Sequence, residues 1–172
     1  MCTVMTIDRS SFSRKVRNRI FSDSLVNSDG MALILLPEGE NVTHLRTMDS
    51  TAVHNLLDIM QWDRMFLHCR LATQGDVTIP NTHGWHTNGV YYMHNGYIAD
   101  RVSDQYEVDS QAIGHWLRRG GVRNALGKLE GESYANVFLI DSESWEYTVH
   151  RSRGGSLFTD GHGNYSTNAV GR

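Results

Sequence analysis

Cysteine and proline are scarce in this chain, with two of each in 172 residues. Two cysteines, Cys2 and Cys69, cannot build a disulfide framework, so both thiols are expected to be free in a reducing compartment. With so few prolines and no Gly/Ser tract, nothing reads as an interdomain linker, and no repeat of fixed period is present. Long apolar runs are missing too. The longest, residues 31–36, is far short of the roughly 20 residues that cross a bilayer, so no membrane helix is expected. The first nine residues lack the basic region and apolar stretch of a secretory signal, which predicts a cytoplasmic protein. An excess of positive charge is also absent: 16 Lys and Arg against 19 Asp and Glu give a net charge of −3. That balance removes the bulk electrostatic case for nucleic acid or an anionic membrane as partner.

What is present is a globular composition, 40% hydrophobic and 20% charged, in a length that suits one domain over residues 1–172. Alternation and β-branching predict a strand at 3–7. Val16 and Ile20, four apart, predict a helix over 13–21, whose other face carries Arg14, Lys15, Arg17 and Arg19. That face reads as solvated, with a phosphate or an acidic partner as the alternative. Residues 30–36, closed by Pro37 and Gly39, read as a strand buried on both faces. Ser50 is expected to cap a helix over 51–60, where Val53, Leu56, Leu57 and Met60 keep helical spacing. A strand at 65–72, a loop over 73–87, a strand at 89–94 and a tight turn at Asn95-Gly96 follow. A helix over 110–118 is capped by Asp109 or Ser110 and stopped by Gly120-Gly121. Strands at 134–140 and 146–151, with shorter pieces around Leu157 and Tyr165, complete the chain. Strands first and last with helices between make an α+β layered sandwich of mainly antiparallel sheets.

Cys2 is the first chemical candidate. Removal of Met1 gives one residue both a thiol and an α-amine, and an amine titrating at about 7.7–8.0 can serve as base for its own side chain. A cysteine at position 2 is also read as incidental. Arg70, at a strand end, can hold a carboxylate through two parallel hydrogen bonds or make a surface ion pair. Cys69 alternates to the opposite face and reads as core. Asn95 and Gly96 set a side-chain amide beside an unobstructed N–H, the two donors an oxyanion hole needs, in residues that also read as a hairpin turn. Asp109 can bind an ammonium group or cap a helix. His83-x-x-His86, with His68 and His94 nearby, raises a metal site, but without cysteine or carboxylate partners neither metal nor cofactor is expected.

In order along the chain, Cys2, Asn27-Ser28-Asp29-Gly30, Arg70-Leu71-Ala72-Thr73, Asn81-Thr82-His83, His94-Asn95-Gly96 and Val108-Asp109-Ser110 closely resemble the class II glutamine amidotransferase domain. That family is an N-terminal-nucleophile (Ntn) hydrolase with a four-layer αββα fold. Arg70 to Gly96 lies on the family pattern without a gap, and the closing pieces around Leu157 and Tyr165 extend the likeness over essentially the whole chain. Gln74 stands where many members carry histidine, and Leu71 where an aromatic residue is common.

The resemblance implies Cys2 as nucleophile on the side-chain amide of L-glutamine, with Asn95 and Gly96 stabilising the oxyanion. Arg70 would grip the α-carboxylate and Asp109 the α-ammonium, with Thr73 and His83 lining the pocket. A thioester on Cys2 would be hydrolysed to glutamate, releasing ammonia. The chemistry suits the residues, since a zwitterion needs one fixed cation and one fixed anion to orient it. Relatives usually carry a synthase domain on the same chain. None is expected here, so the ammonia is expected to pass to a synthase subunit in trans. The rival readings are a non-catalytic glutamine-binding or regulatory module, and an amidase of the same fold acting on another small amide.

Overall fold

A strand apolar on both faces needs a packed layer on each side, and the computed structural model, which describes residues 2–37, 42–100, 103–161 and 163–167, supplies both. The chain runs β1 (Thr3–Asp8), α1 (Arg14–Val26), β2 (Met31–Leu36), β3 (Thr43–Thr47), α2 (Ser50–Ile59), β4 (Arg64–Cys69), β5 (Trp85–Thr87) and β6 (Val90–Tyr97). It continues with α3 (Gln111–Leu129), β7 (Tyr134–Asp141), β8 (Tyr147–Arg151), β9 (Phe158–Thr159) and β10 (Tyr165–Ser166). Two sheets result, one of order β3-β2-β4-β1-β10-β9 and one of order β5-β6-β7-β8. Every pairing among the described strands is antiparallel.

The period-2 alternation of the strands sorts their side chains into three apolar layers. On β2, Met31, Leu33 and Leu35 pack with Ile20 of α1 and Val53 and Leu57 of α2. Ala32, Ile34 and Leu36, on the opposite face, meet Phe66, Met93, Phe138 and Ile140 between the sheets. Tyr92, Val137 and Leu139 turn the other way, onto Ile113, Trp116 and Leu117 of α3. The order is therefore helix, sheet, sheet, helix, the αββα sandwich expected. Burying each large side chain contributes about 1.5–3 kcal/mol, and β2 is buried along its whole length as its sequence requires.

Several expectations are corrected. Asn95-Gly96 is not a turn: both residues lie inside β6, opposite Asn136 and Ala135 of β7. The turn is at the other Asn-Gly of the chain, Asn88-Gly89, where both residues have positive φ (52° and 76°), as the tight hairpin between β5 and β6 demands. Asp49, not Ser50, caps α2, its carboxylate accepting the Thr51 N–H at 2.8 Å. Gly120-Gly121 does stop the helix that begins at Gln111, as expected, and a second helical segment follows at once, so α3 is two helices joined at a kink, with Ala125 and Leu129 of the second still buried in the Trp116 cluster. The strand expected at 65–72 leaves the sheet after Cys69. β3 was not anticipated. Met1 and Gly39 lie outside the described residues.

Candidate active site

β1 is paired with β4 in a register that sets Thr3 opposite Cys69, so Cys2 lands beside the segment that follows β4. Its Sγ lies 3.2 Å from the Leu71 nitrogen and 3.3 Å from the Leu71 oxygen. Burial pushes the thiol up from its ordinary value, while the Leu71 backbone and the nearby Arg70 guanidinium work the other way. The 70–72 segment is fastened from the side by the loop before β2. The Asp29 N–H donates to Arg70 O, the Arg70 N–H donates to Gly30 O, and the Asp29 carboxylate accepts the Ala72 N–H at 2.8 Å. Asp29 thereby pulls the chain out of β4 and shapes the floor under Cys2. Cys69 faces the helix side, wholly buried, its thiol pushed far up.

Asn95 and Gly96 come from the other sheet. Gly96 faces Ala135 of β7, but both backbone groups of Ala135 are taken by Ser152: its N–H by Oγ at 2.7 Å and its C=O by the Ser152 N–H at 3.1 Å. In an antiparallel ladder both polar groups of one residue point the same way, so the Gly96 N–H is directed away from β7. β5 does not cover it, since that pairing ends at Trp85 opposite Tyr92. Only glycine fits there: φ is +138°, and a Cβ would fall 1.6 Å from Tyr134 O. The Asn95 side chain is buried and makes no hydrogen bond among the described residues.

Where β5 has ended, side chains replace a neighbouring strand. The His94 N–H donates to His83 Nδ1 at 3.1 Å, and His94 O accepts from His68 Nε2 at 3.1 Å. The His68 and His83 rings stack 3.8 Å apart. These bonds hold β6 two residues short of Gly96. Burial keeps the rings neutral, lowering His68 to about 3, His94 to about 4 and His83 well below its ordinary value. Ser110 Oγ lies 2.7 Å from His94 Nδ1 and donates to Asp109 Oδ1 at 3.2 Å. With the hydroxyl hydrogen directed at the carboxylate, Oγ is the acceptor toward His94 and His94 Nδ1–H the donor.

Arg70 and Asp109 are both buried and both oriented by backbone. Arg70 donates from Nη1 to Asp76 O and from Nη2 to Gln74 O and Gly75 O, leaving its Nε–H and one Nη1–H. Asp109 accepts the Ile98 N–H on Oδ2 and the Ser110 N–H and hydroxyl on Oδ1, leaving a lone pair of Oδ2. Among the described residues Arg70 makes no ion pair, the alternative reading of it, and Asp109 serves the turn before α3 as well as facing the site. Cys2, Arg70, Thr73, His83, Gly96 and Asp109 line a narrow cavity of about 30 Å³. Cys2, Thr73, Asn95 and Gly96 also border a second cavity, of about 410 Å³. The structure thus brings all seven candidate residues to one place, with Cys2 and Gly96 at the junction. His83 and His86 diverge, His86 stacking on Tyr91, and no metal-holding cluster exists among the described residues.

Sequence reasoning gave Asp29 no role of its own, and offered His68 only beside a metal reading and Ser110 only as a helix cap. Asp29 sits in a quoted motif, but its bonds to residues 70 and 72 join positions more than forty residues apart. Ser110 was legible only as a helix cap, and its side chain makes no capping bond.

No protein-family model matches the chain, and no curated protein sequence matches it. Solved structures do. A class-II glutamine aminotransferase domain protein from Silicibacter pomeroyi aligns over 96% of this chain and 87% of its own, at 12% identity and a TM-score of 0.49. The allosteric regulatory enzyme of purine biosynthesis aligns over 96% of this chain at 16% identity and a TM-score of 0.57. This chain spans 41% of the length of that enzyme. The second likeness carries the fold, an αββα sandwich.

Proposed function

We propose that residues 1–172 form a class II glutamine amidotransferase module that hydrolyses the side-chain amide of glutamine through Cys2. The observation that carries the reading is that Cys2 and Gly96 line a cavity whose wall also holds the buried Arg70 and the buried Asp109, with Asn95 next to Gly96 on the adjoining cavity. The solved-structure likeness adds the fold in which such a site is built. Removal of Met1 makes the Cys2 α-amine the general base. Sγ attacks the amide carbon, and the developing oxyanion is met by Asn95 Nδ2 and the Gly96 N–H. Arg70 takes the α-carboxylate and Asp109 the α-ammonium, with Thr73 and His83 closing the pocket. The amine carries the thiol proton to the departing nitrogen, ammonia leaves, and water hydrolyses the thioester to glutamate. Ammonia then passes to an acceptor-activating subunit in trans, in the reducing conditions of the cytoplasm. No described helix is long and apolar enough to cross a membrane.

Intact mass and glutamate release from glutamine test the reading. The expected result is loss of Met1, turnover by wild type, and a fall of about a thousandfold or more in Cys2→Ala. An electrophilic glutamine analogue should label Cys2 and leave the buried Cys69 untouched. Retained Met1 in an active enzyme, or undiminished turnover by Cys2→Ala, refutes the mechanism.

A further inference from the structure

Cys2 and Gly96 open onto two cavities of opposite character. The smaller carries the paired charges of Arg70 and Asp109. The larger, about 410 Å³, has no Asp, Glu, Lys, Arg or His in its wall among the described residues. A zwitterionic amino-acid head cannot be oriented there, because nothing balances either of its charges. An uncharged group can. The wall offers the rings of Tyr97 and Tyr134.

We propose that the larger cavity is a leaving-group site, and that the preferred substrates are γ-glutamyl amides whose nitrogen carries an uncharged aryl or arylalkyl group. This rests on the glutaminase reading of the same site. A carbonyl carbon on Cys2, with its oxyanion toward Asn95 and Gly96 and its amino-acid head toward Arg70 and Asp109, directs its nitrogen substituent into the larger cavity. Tyr134 packs on that substituent. Sγ bonds the amide carbon and its proton passes through the α-amine to the amide nitrogen. The C–N bond breaks and R–NH₂ departs. Water then adds to the thioester, the C–S bond breaks, and γ-carboxylate and thiol are regenerated.

The test compares glutamine with γ-glutamyl benzylamide, whose leaving amine is close to ammonia in basicity, following glutamate release by the full chain with Met1 removed. The expected kcat/KM is about tenfold or more higher for the benzylamide, since a buried apolar group of even one methylene discriminates on that scale. Tyr134→Ala, and Ser156→Trp, which fills the cavity from its exposed rim, should each lower benzylamide turnover more than glutamine turnover. Efficient use of glutamine with no advantage for the benzylamide overturns the inference alone. So does an advantage that neither variant reduces. Turnover of neither substrate overturns the glutaminase reading, and the inference with it.

Discussion

Gly96 is the residue at which side-chain identity, backbone geometry and chemistry are most tightly joined. Its N–H is available because Ala135 spends both backbone groups on Ser152, and its lack of a Cβ is compulsory because Tyr134 O occupies that space. Gly96→Ala is therefore expected to destabilise the fold by about 3 kcal/mol or more, through a backbone clash and an unfavourable φ together. Urea unfolding with unchanged slope reads this out, and wild-type stability would mean that β6 and β7 do not approach as closely as described. The residues themselves were legible from the ordered motifs. What was not legible is why glycine is required, since the reason lies 38 residues away on β7.

At the scale of elements, short-range signals located most segments and misassigned several of their ends. The helix at 13–21 was readable because one buried face writes its period into the sequence, and the strands at 30–36 and 134–140 because burial on both faces writes a short unbroken apolar run. Two Asn-Gly pairs were present, and only the one whose neighbours must reverse direction became a hairpin. The cap of α2 shows the same limit. Asp49 and Ser50 are both competent caps, and the Asp49 carboxylate is the one that reaches a helical N–H. Asp49→Ala should cost about 1 kcal/mol and Ser50→Ala within about 0.5 kcal/mol, measured by thermal or chemical unfolding. Equal losses would return the cap to Ser50. The loop after β4 is a third element whose shape is tertiary: Arg70 and Asp29 together curl residues 70–76 over the smaller cavity.

The whole molecule carries its polar network where its two sheets and α3 meet. His68, His83 and His94 are held neutral by burial, with His68 at about 3 and His94 at about 4 in the folded state, while the unfolded chain binds protons at about 6.5. Their lowered values mean that their contribution to stability is complete above pH of about 6.5 and is lost as pH falls toward their folded values. Each neutral ring should steepen the loss by about 1.4 kcal/mol per pH unit across that window. Unfolding free energies at several pH values between 6.5 and 4 check this. His68→Gln should flatten the profile by one ring's share, and an unaltered slope would show that His68 is not buried neutral.

The sequence by itself determined the alternation that makes both faces of β2 apolar, and with it the need for a layer on either side. It also determined the chemistry on offer: a thiol at position 2, an amide beside a glycine, an arginine and an aspartate. Such properties are local, set by residue type and spacing. Only the tertiary structure decided which Asn-Gly turns, which carboxylate caps, and that Cys2 from one sheet meets Gly96 from the other between a charged cavity and an uncharged one. Those outcomes depend on contacts between residues tens of positions apart, formed when the two sheets pack, and no local period encodes them.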